Sequence, residues 1–230
     1  MFRHVTLLRS ALLVGFLVLG YGNACAAYLS KNQVDISQLL APPPAPDSER
    51  QKLDLHAVLD AQSKRTPAEI TRANETEQLS VFSFADVLGP SFSKEKLPKT
   101  NALFEQVYDD TLVLLKVGKD QWNRPRPFLI SDKVQPSGDR PKSSSYPSGN
   151  ALLGHLYSIV LAKLLPEKST RLFARGQETG DNRVVAGVHF PSDLEAGRQA
   201  AAAIAAVLWT TPGFQKDFAA VQAELRNAGL

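Results

Sequence analysis

Residues 119–128 read KDQWNRPRPF, residues 146–150 read YPSGN and residues 182–193 read NRVVAGVHFPSD. Each stretch sets charged or polar residues at the edge of a helical pattern. Before the first, Leu103, Val107, Leu114 and Val117 recur at helical spacing and predict a helix over 101–117. The second enters an apolar segment, 150–165, that stops at Pro166, and a further helix runs from Ser169 towards Val185. The third leads into Ser192-Asp193-Leu194-Glu195, which has the form of a capping box opening an Ala-rich helix to about Trp209. Residues 214–227 close the chain as a last helix.

Working outward from these stretches, residues 47–64 carry Leu53, Ala57 and Leu59 at helical spacing. Thr66-Pro67-Ala68-Glu69 then supplies a cap, a proline at the first helical position and an acid in the first turn. No tract of alternating β-branched residues reads as a sheet, and there is no internal repeat. Six or seven helices with short polar joints imply an all-α, single-domain helical bundle. The alanine run at 200–206 suits close helix packing or helix propensity alone.

A chain of 230 residues, 43% hydrophobic and 21% charged, is long enough to bury a core and too apolar to be disordered. Its single cysteine excludes a disulfide scaffold. Arg3, His4 and Arg9, the apolar run 11–20 and the small residues 23–27 have the three-part build of a secretory signal peptide. Residues 1–26 are therefore expected to be removed, with cleavage after Ala26 or Ala27, leaving a periplasmic or secreted chain with no stable membrane span. The apolar run is too short for the roughly 20 residues of a spanning helix. Without Arg3 and Arg9 the balance is 24 basic to 23 acidic residues, so the basic character belongs partly to the leader and nucleic acid is not an expected partner. Residues 27–46 are expected to form a polar, Pro-rich arm (Pro42-Pro43-Pro44-Ala45-Pro46), with the helical domain at 47–230.

The charged residues make chemical sense together. Lys119, Arg126 and Arg183 offer point-charge and planar donors, and the backbone N–H groups of Gly149 and Asn150 at a helix start would point the same way. That combination suits a tetrahedral dianion. A neutral imidazole at His189 can attack phosphorus from one nitrogen if the other donates to a carboxylate, and Asp193 is placed to be that carboxylate.

Lys-x6-Arg-Pro, Pro-Ser-Gly and Arg-x5-His-x3-Asp resemble the three-part signature of the type 2 phosphatidic acid phosphatase superfamily. Residues 119–193 are similar in particular to its class A bacterial non-specific acid phosphatases. The gaps of 19 residues between Pro127 and Pro147 and 31 between Asn150 and Asn182 fall within that signature's range. The similarity extends from about Leu53 to Leu208. It implies the helical bundle shared by acid phosphatases and vanadium haloperoxidases, with phosphate monoesters as substrates. It also implies a phosphohistidine intermediate at His189, oriented by Asp193, and phosphoryl oxygens bound by Lys119, Arg126, Ser148, Gly149 and Arg183. No metal or other cofactor is expected, and a homo-oligomer is the common family state.

Two positions depart from the signature. Asn182 stands where serine is usual, and Asn150 stands where the family carries the histidine that protonates the leaving alkoxide. An amide cannot deliver a proton, although its NH2 could donate a hydrogen bond to phosphate. The expectation is a phosphatase slowed most on alkyl esters; the alternatives are a non-catalytic oxyanion binder on the same fold and, more remotely, a vanadate-dependent haloperoxidase. His155, five residues after Asn150, lies about 140° round the helix and should face elsewhere. His56 lies outside the signature, Asp120 and Asp181 are alternative proton donors, and Tyr146 and Phe128 are candidates for the pocket mouth.

Overall fold

The computed structural model describes residues 27–30 and 32–230; the expected signal peptide lies outside the described residues. Among the described residues there are ten α-helices and two 3-10 turns, and no strand. Helix α1 is Ile36–Leu39, α2 Glu49–Lys64, α3 Pro67–Glu75, α4 Ala85–Leu88 and α5 Pro98–Trp122. Helix α6 is Pro127–Ile130, α7 Gly149–Leu164, α8 Ser169–Val185, α9 Pro191–Leu208 and α10 Pro212–Asn227.

Local chemistry sets the ends of these helices. Ser48 caps α2 by accepting from the Gln51 N–H, and Thr66 and Glu69 form a reciprocal capping box at α3. Helix α5 ends where Asn123 takes the left-handed conformation at φ 42°. The cap of α9 differs from the expected Ser192 box. The helix begins at Pro191, and the Asp193 carboxylate accepts from the Phe190 N–H at 2.8 Å. Pro191 fits the first helical position because its missing N–H would have no intrahelical partner there.

Helix α7 is the centre of the molecule. Leu152, Leu156, Tyr157, Val160, Leu161 and Leu164 are buried along it, among others. Helices α8 and α9 pack against it, and α5 closes another side with Leu103, Phe104 and Leu114. Burying each such side chain stabilises the fold by roughly 1.5–3 kcal/mol. In the alanine run, Ala200, Ala201 and Ala205 are buried while Ala202 and Ala206 are exposed. One face of the run therefore serves packing and the other does not.

Two expectations are corrected. The inward face of α2 is not the Leu53 stripe: Leu53 is 65% exposed, and Gln51, Asp54 and Val58 face inward. The physical reason is a buried partner, Arg124, described below. The N-terminal arm is not polar throughout either, since Tyr28, Leu29, Val34, Ile36 and Leu40 join the main core.

Helices α7 and α8 touch backbone to backbone. A Cβ on Gly154 would lie 2.7 Å from the Gly176 carbonyl oxygen, and one on Gly176 would collide with both the Gly154 carbonyl and the Ser158 hydroxyl. Main chain cannot swing aside as a side chain can. Gly176→Ala is expected to destabilise the protein by about 1–3 kcal/mol through overpacking, measured by urea unfolding.

Candidate active site

The three sequence stretches meet at one end of α7. Lys119 lies one turn before the end of α5, Arg126 follows the left-handed turn at Asn123, and Arg183 sits in the last turn of α8. A tight turn then returns the chain through His189 to the start of α9 and Asp193. Loop residues 143–148 run into the start of α7.

Asp193 is fully buried and holds these segments in register. Its Oδ2 accepts from Ser145 Oγ at 2.6 Å, from the Phe190 N–H at 2.8 Å and from His189 Nδ1 at 3.1 Å. Its Oδ1 accepts from Arg124 Nη1 at 2.6 Å, and its backbone carbonyl accepts from the Ser148 N–H at 3.0 Å. Burial opposes ionisation, but the hydrogen bond from His189, the Arg124 charge and the Ser145 hydroxyl outweigh it and hold the carboxyl below its ordinary range.

The same contacts fix the tautomer of His189. Its Nε2 lies 3.2 Å from Arg126 Nη1. Arginine has no acceptor, so Nε2 must accept, and the ring proton must sit on Nδ1 facing Asp193. Burial, followed by the charges of Arg126 and Lys119, pushes the imidazole well below its ordinary pKa despite the pull of Asp193. The ring therefore stays neutral in acid.

A cavity of about 210 Å³ opens beside it, lined by Lys119, Arg126, Gly149, Asn150, Arg183 and His189, with Glu77 and Ser143 on its wall. Arg126 is anchored by the carbonyls of Ser143 and Val188, both at 2.8 Å. The buried Arg183 has a backbone carbonyl that accepts from the Val188 and His189 N–H groups, while its Nε and Nη2 have no protein partner. A buried guanidinium with free donors beside a cavity is arranged to meet an anion. The N-terminus of α7 adds the first-turn N–H groups of Gly149 and Asn150. A Cβ at Gly149 would come within 2.9 Å of the end of the Leu115 side chain, which would have to shift. Lys119 donates to the Ser144 carbonyl. Burial first, and then the Arg126 charge, lower its pKa to about 7.

Other expected residues are placed differently. Ser148 is fully buried, its hydroxyl caps α7 by accepting from the Ala151 N–H, and it does not line the cavity. The Asn150 NH2 is not turned towards an anion: Nδ2 donates to the backbone carbonyls of Glu77 at 2.9 Å and Thr76 at 3.3 Å. Asn182 donates to Thr76 Oγ1 at 3.0 Å. His155 is half-buried against Phe173, and His56 is exposed. Asp120 pairs with Lys116 and Asp181 with Arg198, and neither lines the cavity. Tyr146 is buried against Trp122, with its hydroxyl on the Ala41 carbonyl, and Phe128 packs in a small core cluster; neither lines the cavity.

Sequence reading missed the support behind Asp193. Arg124, in the same KDQWNRPRPF stretch as Arg126, is buried, and its Nη2 donates to Asp54 Oδ2 at 2.9 Å and Gln51 Oε1 at 2.7 Å. Its guanidinium stacks 4.2 Å over the Phe190 ring. The signal lay in two polar residues, Gln51 and Asp54, three apart on α2. Glu77 was missed because it lies outside the signature. Among the described residues no group of three or more His, Cys, Asp or Glu could hold a metal ion.

The arrangement can hold a tetrahedral oxyanion and present it to a neutral imidazole, the chemistry of a phosphoryl-handling protein. Residues 110–217 match the PAP2 superfamily. The chain is 31% identical over 197 residues to a non-specific acid phosphatase of Salmonella typhimurium, covering 82% of this chain and 79% of the relative. An acid phosphatase of Zymomonas mobilis is 29% identical over 238 residues, covering 95% and 89%. The fold is that of a bacterial vanadium-dependent iodoperoxidase (TM-score 0.58, 19% identity, 76% of this chain and 53% of the other). It also matches a transmembrane PAP2-type phosphatidylglycerolphosphate phosphatase from Bacillus subtilis (TM-score 0.52, 20% identity, 72% and 87%). Among the described residues no helix is long and apolar enough to cross a membrane. The chain belongs to the PAP2 superfamily, with the bacterial non-specific acid phosphatases.

Two expectations follow from the geometry. Arg124→Met leaves Asp54 and Asp193 buried without their cation and should lower stability by about 3–5 kcal/mol in urea unfolding. Sulfate, whose charge is constant in this range, should bind more weakly as the pH rises through about 7, where Lys119 loses its proton. Lys119→Met should remove that dependence, as read by calorimetric titration.

Proposed function

We propose that this chain, an acid phosphatase by family, hydrolyses phosphate monoesters by transferring the phosphoryl group to His189 Nε2 and then to water. The observation that carries the reading is His189 itself. Its Nε2 carries no proton and faces Arg126 Nη1 at 3.2 Å, its Nδ1–H is held by Asp193, and it stands on the wall of a cationic cavity. Lys119, Arg126 and Arg183 would neutralise the phosphoryl oxygens, with the first N–H groups of α7 completing the seat. Ser148 acts indirectly, by capping α7. Asp193 fixes the ring and supports the positive charge that grows on it as nitrogen bonds to phosphorus.

The charge states favour acid conditions. The nucleophile must be neutral and Lys119 charged. His189 is held well below its ordinary pKa and Lys119 titrates at about 7, so both conditions hold together in the acidic range. A periplasmic or secreted location, after loss of residues 1–26, agrees with that chemistry. Substrate range should be broad, since the cavity has no further element dedicated to one leaving group. Asn150 cannot protonate a departing alkoxide, a step typically worth about 10²–10⁴ in rate. Turnover of alkyl esters therefore depends on what else the cavity offers.

The test is incubation with 4-nitrophenyl phosphate, following release of inorganic phosphate and trapping the phosphorylated chain. Wild-type protein should release phosphate catalytically and carry acid-labile phosphate on His189, and His189→Ala should lose both. Equal rates in the two proteins would remove the assignment of His189. Phosphate binding with neither turnover nor phosphoenzyme would favour the oxyanion-binding alternative.

A further inference from the structure

We infer that Glu77 is the general acid of this site, its carboxyl supplying the proton that an imidazole at position 150 would otherwise provide. The inference rests on the phosphatase reading above and adds a catalytic residue to it. In the first step the His189 Nε2 lone pair forms the N–P bond while the ester P–O bond breaks towards oxygen. The departing alkoxide takes the Glu77 proton and leaves as an alcohol, and Glu77 becomes a carboxylate. In the second step water attacks phosphorus, the N–P electron pair returns to Nε2, and the carboxylate takes the water's proton. Phosphate is released and both residues regain their starting forms.

The inventory of the cavity leads to Glu77. Its titratable wall residues are Glu77, Lys119, Arg126, Arg183 and His189. Arginine does not give up its proton under working conditions. His189 is the nucleophile on Nε2 and is tied to Asp193 through Nδ1. Lys119 is committed to the Ser144 carbonyl and must keep its charge to hold the phosphoryl group. Asp120 and Asp181 are paired elsewhere. Glu77 is the one carboxyl on that wall.

Its placement is built, and by an unexpected pair of residues. Asn150 Nδ2 donates to the carbonyls of Thr76 and Glu77, and Asn182 Nδ2 donates to Thr76 Oγ1. The two positions at which this chain departs from the phosphatase signature are thus the two that clamp the segment carrying Glu77. Thr76 is buried beneath them. On the other side lies Gly138, with φ +72°, where a Cβ would come within 3.1 Å of Glu77 Oε2 and 2.9 Å of Asn74 Oδ1. Glycine leaves the carboxyl its room.

The charged groups facing Glu77 are Arg126 from the segment after α5 and Arg183 from α8, both of which feel its field. They would bring a phosphoryl group, and with it the leaving-group oxygen, beside the carboxyl.

The experiment compares kcat/KM, which reports steps only up to phosphorylation, for glycerol phosphate and for 4-nitrophenyl phosphate. Glu77→Gln should lower the alkyl ester value by about 10²–10⁴-fold, the usual range for general acid help, and the aryl ester value by less than about tenfold. Retained aryl turnover also shows that the variant folds, and a merely structural role would not separate the two esters. Glu77→Gln/Asn150→His should recover alkyl turnover. An equal loss on both esters, no loss on either, no recovery in the double variant, or a wild-type chain inert to alkyl esters would each overturn the assignment of Glu77. The phosphoenzyme trap with 4-nitrophenyl phosphate separates the two layers. Phosphate on His189 with alkyl turnover indifferent to Glu77→Gln sinks Glu77 alone, whereas no phosphoenzyme sinks the underlying reading.

Discussion

A carboxylate removed from water must be satisfied or the fold cannot keep it there, and Asp193 is the place where this constraint organises the molecule. Its two oxygens take donors from Arg124, Ser145, His189 and the start of its own helix, and its carbonyl takes the N–H of Ser148. Those donors come from the segment after α5, the loop before α7 and the turn between α8 and α9. One buried charge therefore sets the register of the three stretches that carry the chemistry. Low dielectric sharpens this effect: an incorrect register would strand the charge.

Satisfaction of Asp193 also carries the electrostatics outward. Arg124 neutralises Asp193 on one side and Asp54 of α2 on the other, while Arg126, two residues later, faces the cavity. Two arginines of one segment thus serve different ends, Arg124 holding the buried carboxylates and Arg126 lining the cavity. The imidazole between Asp193 and Arg126 is held neutral by burial and adjacent cations, and its reactive nitrogen carries no proton.

Legibility in the sequence followed the kind of interaction involved. Helices α5, α7 and α8 were readable because apolar burial leaves a periodic trace, and Pro166 marks a stop that needs no tertiary context. The inward face of α2 was not readable. Gln51 and Asp54 look like solvated residues until a guanidinium 70 or more positions away is seen to claim them. Ser192 fits the local pattern of a cap, yet Pro191 lets the helix start earlier. The cluster of Lys119, Arg126, Arg183 and His189 was legible as a signature, and the chain does bring those four residues to one cavity. The direction of the Asn150 amide was not, because it depends on carbonyls at 76 and 77 that no pattern links to position 150.

The glycine contact between α7 and α8 has a consequence for the size of the anion that fits. Gly154 lies five residues inside the start of α7, and Gly176 lies seven residues before Arg183. At about 1.5 Å per residue, the helix start and the arginine sit roughly 8 and 10 Å from the crossing, like the tips of a pair of callipers. Because that pivot is main chain against main chain, no side-chain rotation can draw the two jaws closer together at the crossing.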